Sequence, residues 1–316
     1  MAELLTDLSL AQMKYFLIDP FANAFNPTPS GNCWHKDFVD QSPWVFERKF
    51  ELDSWASLLF LARKIKERWG ITRHLGDQFA EVLSVMIDLA RQEQRHDRES
   101  YRFFRQNGVP HDSLSHDGLG APVAFTGMIY SGFRPSDDAC VYGYLIPANL
   151  FFLKELNALD LSLRPKDLIQ DIESGISKFG ISDRGFAYEV DGLGNQLFID
   201  DANIPSLLSL PFLEVCKPDY LIYLKTRKRL LSSENPYFYS GKFSAGIGSP
   251  HTPVGYIWPI AIAVQALTDL SAAAIPDAIS CLEATDAGTG KMHESFDADN
   301  PHQFTRGWFS WADAMY

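Results

Sequence analysis

An all-α fold of stacked helical hairpins is the class this sequence predicts, and three observations predict it. Apolar residues recur at three-to-four spacing in one segment after another. Convincing runs of strict alternation are scarce. The periodic segments come in successive pairs, separated by long loops rich in Gly, Pro, Asp and aromatic residues. Loops of that kind on a helical scaffold are where function is expected.

The first helix opens at Asp53-Ser54, puts Trp55, Leu58, Leu59, Ala62, Ile65 and Trp69 on one face, and stops at Gly70. The next carries Phe79, Val82, Leu83, Met86, Leu89 and Ala90 on one stripe. Pro147 sits in the first turn of a third, which runs to about Leu159; Pro165 opens a fourth, closed by Gly180. A short fifth follows Asn203-Ile204-Pro205 and contains Leu207, Leu208 and Leu210. Asp219 is read as the cap of a sixth that reaches Leu231. Ile257 to Leu270 is apolar nearly all round, Pro276 begins a segment ending near Ala284, and the last starts near Arg306. One hairpin is expected, with Phe186 to Val190 and Asn195 to Ile199 flanking Asp191-Gly192-Leu193-Gly194. No Ser/Gly/Pro linker divides the chain, so residues 1–316 read as one domain.

Composition excludes several function classes. The chain has 316 residues, 46% of them hydrophobic, enough for a large core. Net charge is −12 and the pI about 5.1, with no basic stripe, so no nucleic-acid partner is expected. The longest apolar stretch, Ile257 to Leu270, is too short to span a bilayer, so no membrane partner is expected either. Cys33, Cys140, Cys216 and Cys281 are too dispersed for a zinc knuckle or a disulfide scaffold. The N-terminus lacks a basic n-region and an apolar h-region, which makes a cytoplasmic location the expectation. The oligomeric state is not legible.

Familiar motifs fail on inspection. Gly288-Thr289-Gly290-Lys291 has Thr285 where a phosphate loop needs its first Gly. Gly192-Leu193-Gly194 has Leu197 where a dinucleotide fingerprint needs its third. His293-Glu294 is followed at the zinc-ligand spacing by Asp297 rather than His. No Gly-x-Ser-x-Gly elbow is present.

What remains is two distant acidic segments, each wrapped in aromatics. One is SGFRPSDDAC (131–140), with Tyr130, Phe133, Tyr142 and Tyr144 around Asp137 and Asp138. The other is MHESF (292–296), with Trp308 and Trp311 close in sequence to Glu294. Two carboxyl groups facing one another across a sugar ring are the minimum equipment for cleaving a glycosidic bond: one protonates the leaving oxygen, the other activates water. Aromatic neighbours supply stacking faces and the low-dielectric walls that push the two pKa values apart. Bland alternatives stand beside this. Asp137-Asp138 also suits a helix N-cap, with even odds from spacing, and Glu294 suits a solvated loop. Asp200-Asp201-Ala202-Asn203 reads most simply as another cap, and His251 and Trp258 flank loop turns at Pro250 and Pro259. Trp44 to Asp53 alternates charge and aromatics, as a salt-bridged helix entrance or a polar pocket wall does.

Taken together, LIDPFANAFN (17–26), WVFERKFELDS (44–54), TGMIYSGFRPSDDACVYGYLIPANLF (126–151), FAYEVDGLGN (186–195), DDANIPSLLSLP (200–211), NPYFYSG (235–241), GIGSPHTPVGYIWP (246–259) and TDAGTGKMHESF (285–296) resemble glycoside hydrolase family 125, the exo-acting α-1,6-mannosidases. The resemblance implies an (α/α)6 toroid with its active site at one end, and hydrolysis with inversion, without metal or other cofactor. It implies a general acid at Asp138 or Asp137, a general base at Glu294, and carboxyls about 6.5–9.5 Å apart. It makes Glu51, Asp53, Arg134, Asp201, Asn203, His251 and Trp258 candidates for holding mannose hydroxyls or stacking on the ring. The implied partner is a mannose-containing oligosaccharide or N-glycan fragment. It also implies an upstream helical block with a Trp-Leu-Arg-Asp-Ser-like motif, which this sequence lacks. The chain is therefore expected to be truncated at both ends relative to the family. The rival expectation is a catalytically inactive homologue that at most binds mannosides.

Overall fold

The computed structural model describes residues 1–316 except 38, 40, 107 and 108. Its contacts divide into two compact units, residues 1–179 with 189–196, and residues 180–188 with 197–316. The all-α class expected from the sequence is not what the structure holds. Nine α-helices are accompanied, among the described residues, by twelve short strands in five sheets, so the fold class is mixed α and β. The strands run two to six residues, too short for an alternating pattern to stand out.

The first unit holds helices α1 (Ala2–Ile18), α2 (Leu52–Trp69), α3 (Asp77–Arg95), α4 (Ile146–Ala158) and α5 (Lys166–Gly175). Helix α2 forms as its apolar spacing predicts. It buries Trp55, Leu58, Leu59, Ala62 and Ile65 and ends at Gly70, whose φ of 67° closes the last turn through its N–H to Lys66 O. It packs on α1 and α4. Trp55, 1% exposed, centres an aromatic cluster with ring centroids 4.8 Å from Phe50, 5.9 Å from Phe21, 6.0 Å from Phe16 and 6.3 Å from Phe152. Helix α1 escaped the sequence pattern because Thr6 and Ser9 share its buried face with Met13 and Phe16, which blurs the apolar stripe.

Between α3 and α4 the described chain is largely irregular, and hydrogen bonds to other elements hold residues 129–133. Asn149 of α4 uses its side-chain amide as a strand would, accepting from Ile129 N at 2.8 Å and donating to Ile129 O at 2.9 Å. Tyr130 N donates to Glu93 O, Ser131 N to Gly143 O and Phe133 N to Phe50 O. Leu52 N, at the start of α2, donates to Ser131 Oγ at 3.1 Å. Buried backbone amides need partners whether or not a regular ladder supplies them. Tyr144–Leu145 then pairs antiparallel with Glu189–Val190, and Ala24–Phe25 with Val45–Glu47.

The second unit holds α6 (Leu221–Leu230), α7 (Pro259–Leu267), α8 (Ala274–Ala284) and α9 (Ser310–Met315). The cap of α6 is Tyr220 rather than Asp219, and α7 is shorter than its apolar run because Tyr256–Ile257 is a strand. The helix expected after Pro205 is a series of turns. There Asp200 takes the amides of Leu207 and Leu208, and Ser206 and Ser209 bond each other's amides, so side chains satisfy what a helix would. The strands 256–257, 295–297 and 300–305 form one antiparallel sheet, with Ile257 opposite Phe296. It packs with Ile262, Leu282, Met292 and Ala312 into a local core. The expected hairpin does close: Tyr188 N donates to Leu197 O at 2.7 Å. Its Asp191 turn accepts from Leu193 N at 2.8 Å and Asn195 N at 3.0 Å. No helix among the described residues is long and apolar enough to cross a membrane.

Trp55→Ala should lower the stability of the first unit by about 3–5 kcal/mol, the usual cost of emptying a buried aromatic site; urea unfolding followed by tryptophan-independent circular dichroism measures it.

Candidate active site

In the first unit, the segment from Arg134 to Ala139 makes a tight loop rather than a helix start. Arg134 N donates to Asp138 O at 2.8 Å and Asp137 N to Arg134 O at 2.9 Å, and Phe133 bridges Ala139. No helix follows until Ile146, so Asp137 and Asp138 are not an N-cap. Asp137 sits at φ 66°, a left-handed conformation that Asp tolerates better than most residues. Asp138 is 2% exposed, with Ser136 Oγ donating to its Oδ2 at 3.2 Å.

Four further polar groups, Asn23, Lys49, Glu51 and Asp53, neighbour this loop. Asn23 Nδ2 donates to Asp137 Oδ1 at 3.0 Å, and Lys49 Nζ to Asp137 O at 2.8 Å. Glu51 lies close to Asp53, Asp137 and Lys49. Burial above all, then the neighbouring Asp53 and Asp137, holds the Glu51 carboxyl well above its usual range, with Lys49 pulling the other way. Asp53 is pushed up to about 7, again mainly by burial, against a backbone hydrogen bond that lowers it. Its Oδ1 has no hydrogen-bond partner among the described residues. Asp53 lines a cavity of about 250 Å³ between α1 and α2, together with Gln12, Tyr15, Asn23, Phe25 and Trp55. Gln12 Oε1 is likewise unpartnered. Aromatic walls with a few convergent polar groups are what a small polar ligand needs.

The cations are committed. Arg134 Nε donates to Glu189 Oε1 at 2.6 Å, and the amides of Val141 and Tyr142 donate to Glu189 Oε2 at 2.7 and 3.0 Å. Arg105, 4% exposed, meets Asp37, Glu47 and Asp112, each at 2.7 Å. Of the residues expected here, Glu51, Asp53, Arg134, Asp137 and Asp138 are thus brought into one region of the first unit. Asn23, Lys49 and Glu189 were missed. Each lies in a segment whose motif is plain, but nothing in local spacing marks it.

In the second unit, Asn203 Nδ2 donates to Asp201 Oδ1 at 2.9 Å, and Ala202 N to Gly248 O ties this turn to the loop bearing His251. His251 is exposed. Trp258 is buried, donating from Nε1 to Thr252 Oγ1 at 2.9 Å with its ring 5.8 Å from Phe309. Trp258 follows Ile257, whose sheet partner Phe296 lies two residues beyond Glu294. Glu294 is 5% exposed, and its Oε1 accepts from Arg306 Nε at 3.0 Å. His293 stacks flat on Phe304 at 3.7 Å, fixing the residue before it. Arg306 is a further residue that local spacing does not mark. Among the described residues no group of His, Cys, Asp and Glu is arranged to hold a metal ion.

Comparison with known proteins gives three concordant likenesses. A family model described as metal-independent α-mannosidase, glycoside hydrolase family 125, matches residues 1–316. The meiotically up-regulated gene 157 protein of Schizosaccharomyces pombe is 37% identical over 356 aligned residues, which cover 100% of this chain and 69% of that protein. A solved structure from Streptococcus pneumoniae, of a metal-independent α-mannosidase in a non-productive complex with α-1,6-mannobiose, superposes with a TM-score of 0.95 at 41% identity. That match covers 98% of this chain and 78% of the other.

The raised Asp53 gives a pH signature with a definite sign. Below the ordinary carboxylate range both folded and unfolded chains hold its proton. As pH rises, the unfolded chain releases it first, while the folded chain keeps it until about 7. Stability therefore falls with rising pH across that window, by roughly 4 kcal/mol at most, at about 1.4 kcal/mol per unit. Glu51 adds in the same direction. Asp53→Asn should remove the Asp53 share of that slope, as read from denaturant unfolding at a series of pH values.

Proposed function

The chain belongs to glycoside hydrolase family 125, the metal-independent α-mannosidases, and from that premise we propose that it hydrolyses α-1,6-linked mannose from the non-reducing end of an oligosaccharide, with inversion. Asp138 gives its proton to the glycosidic oxygen as the bond from that oxygen to the anomeric carbon breaks. Glu294 takes a proton from the water whose oxygen bonds to the same carbon from the opposite face. The leaving sugar departs as an alcohol, the released mannose carries the water oxygen, and the two carboxyls have exchanged protonation states. Proton return through solvent resets them.

The observation that carries this reading is the Streptococcus pneumoniae relative, which holds α-1,6-mannobiose and is 41% identical over 98% of this chain. Local chemistry supports it. Asp138 is buried in a hydrogen-bonded loop, next in sequence to Asp137. Glu294 faces a guanidinium, which carries its charge at any accessible pH. The aromatic-walled cavity beside Asp53 suits an uncharged, hydroxyl-bearing ring. Asp201, Asn203, His251 and Trp258 are assigned to the sugar hydroxyls and ring face in the second unit, and Glu51, Asp53 and Arg134 to the first.

Asp138→Asn and Glu294→Gln should each lower kcat on α-1,6-mannobiose by roughly 10²–10⁴-fold, the usual worth of a general acid or base, while calorimetric binding of the disaccharide persists. Proton NMR of the fresh product should show β-mannose first. Wild-type turnover by Glu294→Gln would remove it from the role of base; binding without any turnover by the unaltered chain would identify an inactive homologue.

A further inference from the structure

We propose that Glu189 is the positioning residue of the general acid: one buried carboxylate holds both ends of the loop that carries Asp137 and Asp138. Its two oxygens are divided between them. Oε1 accepts from Arg134 Nε at 2.6 Å, at the start of the loop. Oε2 accepts from Val141 N at 2.7 Å and Tyr142 N at 3.0 Å, just past its end. Arg134 in turn fixes Asp138 through its own backbone, its N–H donating to Asp138 O at 2.8 Å. The path from Glu189 to the acid is therefore two hydrogen bonds long.

The other anchors of the loop do not duplicate this one. Phe133 bridges Ala139, Cys140 N donates to Gly132 O and Ala139 N to His111 O, which set the loop's width. None of them meets the Arg134 side chain or the Val141 and Tyr142 amides. Glu189 is 0% exposed and sits on the strand paired with Tyr144–Leu145, so the anchor is itself on a rigid element. A carboxylate is required by count: three donors converge on two oxygens. Glutamine offers a single oxygen, and its NH₂ would face either the guanidinium or the two amides. Aspartate keeps the charge but is one methylene too short to reach both ends.

This role rests on Asp138 being the acid, and the test separates the two ideas. Kinetics on α-1,6-mannobiose and amide hydrogen exchange are measured together on the full chain and on Glu189→Gln and Glu189→Asp. The expected result is a loss in kcat of about 100-fold for Glu189→Gln and about tenfold for Glu189→Asp, the scale of a misplacement near 1 Å. KM should stay within about threefold. Exchange protection should fall at residues 137–142 while the amides of α2 and α4 are unchanged. Where Glu189→Gln does not fold, Glu189→Asp decides, since it keeps the buried negative charge. Undiminished kcat in Glu189→Asp, or protection lost evenly through α2 and α4, would overturn the positioning role. If the unaltered chain releases no mannose, the mannosidase reading fails, and the exchange pattern alone still decides whether Glu189 orders the loop.

Discussion

Burying charge is the constraint on which the first unit depends. A carboxylate or guanidinium out of water is tolerated only when paired and hydrogen-bonded. This unit buries Glu47, Lys49, Glu51, Asp53, Arg105, Arg134, Asp138 and Glu189. Much of the chain that bears them is irregular, so no ladder dictates its course. The pairings do. Lys49 joins Asp112 to the Asp137 carbonyl, Arg105 gathers Asp37, Glu47 and Asp112, and Arg134 meets Glu189. Removing one member of such a set strands the others.

The helices were largely legible because each depends on residues close in sequence. Trp55 to Trp69 with Gly70, Phe79 to Ala90, and Pro147 at the head of α4 all appear where apolar period and capping place them. The two exchanges are instructive. The 203–210 segment has leucines at helical spacing, yet Asp200, Ser206 and Ser209 satisfy its amides from side chains and the helix never forms. Residues 2–18 form α1 with a mixed polar and apolar buried face, which period alone does not reveal. Apart from the hairpin around residues 191–194, the sheets were illegible for a different reason. Most of the strands have two or three residues and so no period, and pairs such as Ile257 with Phe296 are set by long-range contact.

The site was legible in its segments and not in its wiring. SGFRPSDDAC and MHESF announce carboxyls among aromatics, but whether Asp137-Asp138 capped a helix could be decided only by the loop that follows. Glu51 and Asp53 were expected at the sugar. The structure adds that burial and its acidic neighbours hold the Glu51 carboxyl well above its usual range, and that Asp53 presents an oxygen without a partner among the described residues beside a cavity. Glu189 was invisible as an anchor because its partner Arg134 lies 55 residues earlier in the chain. A salt bridge between remote segments leaves no local pattern.

Glycoside hydrolysis asks a protein to hold acids close to an uncharged substrate without letting their mutual repulsion expel one of them. The two units meet that demand by different means. In the first, carboxyls are close together and deeply buried, which holds Glu51 well above its usual range and pushes Asp53 up to about 7. Lys49 offsets part of what remains. In the second, Glu294 keeps company with Arg306, whose side chain is 59% exposed and so reaches the carboxylate from the solvent side. An exposed guanidinium adds little to stability, but it supplies opposite charge without occupying buried space. A group that must donate a proton is better served by the first environment, and one that must accept a proton by the second. The roles proposed for Asp138 and Glu294 accord with these two environments, and the anchor proposed at Glu189 bears on the first.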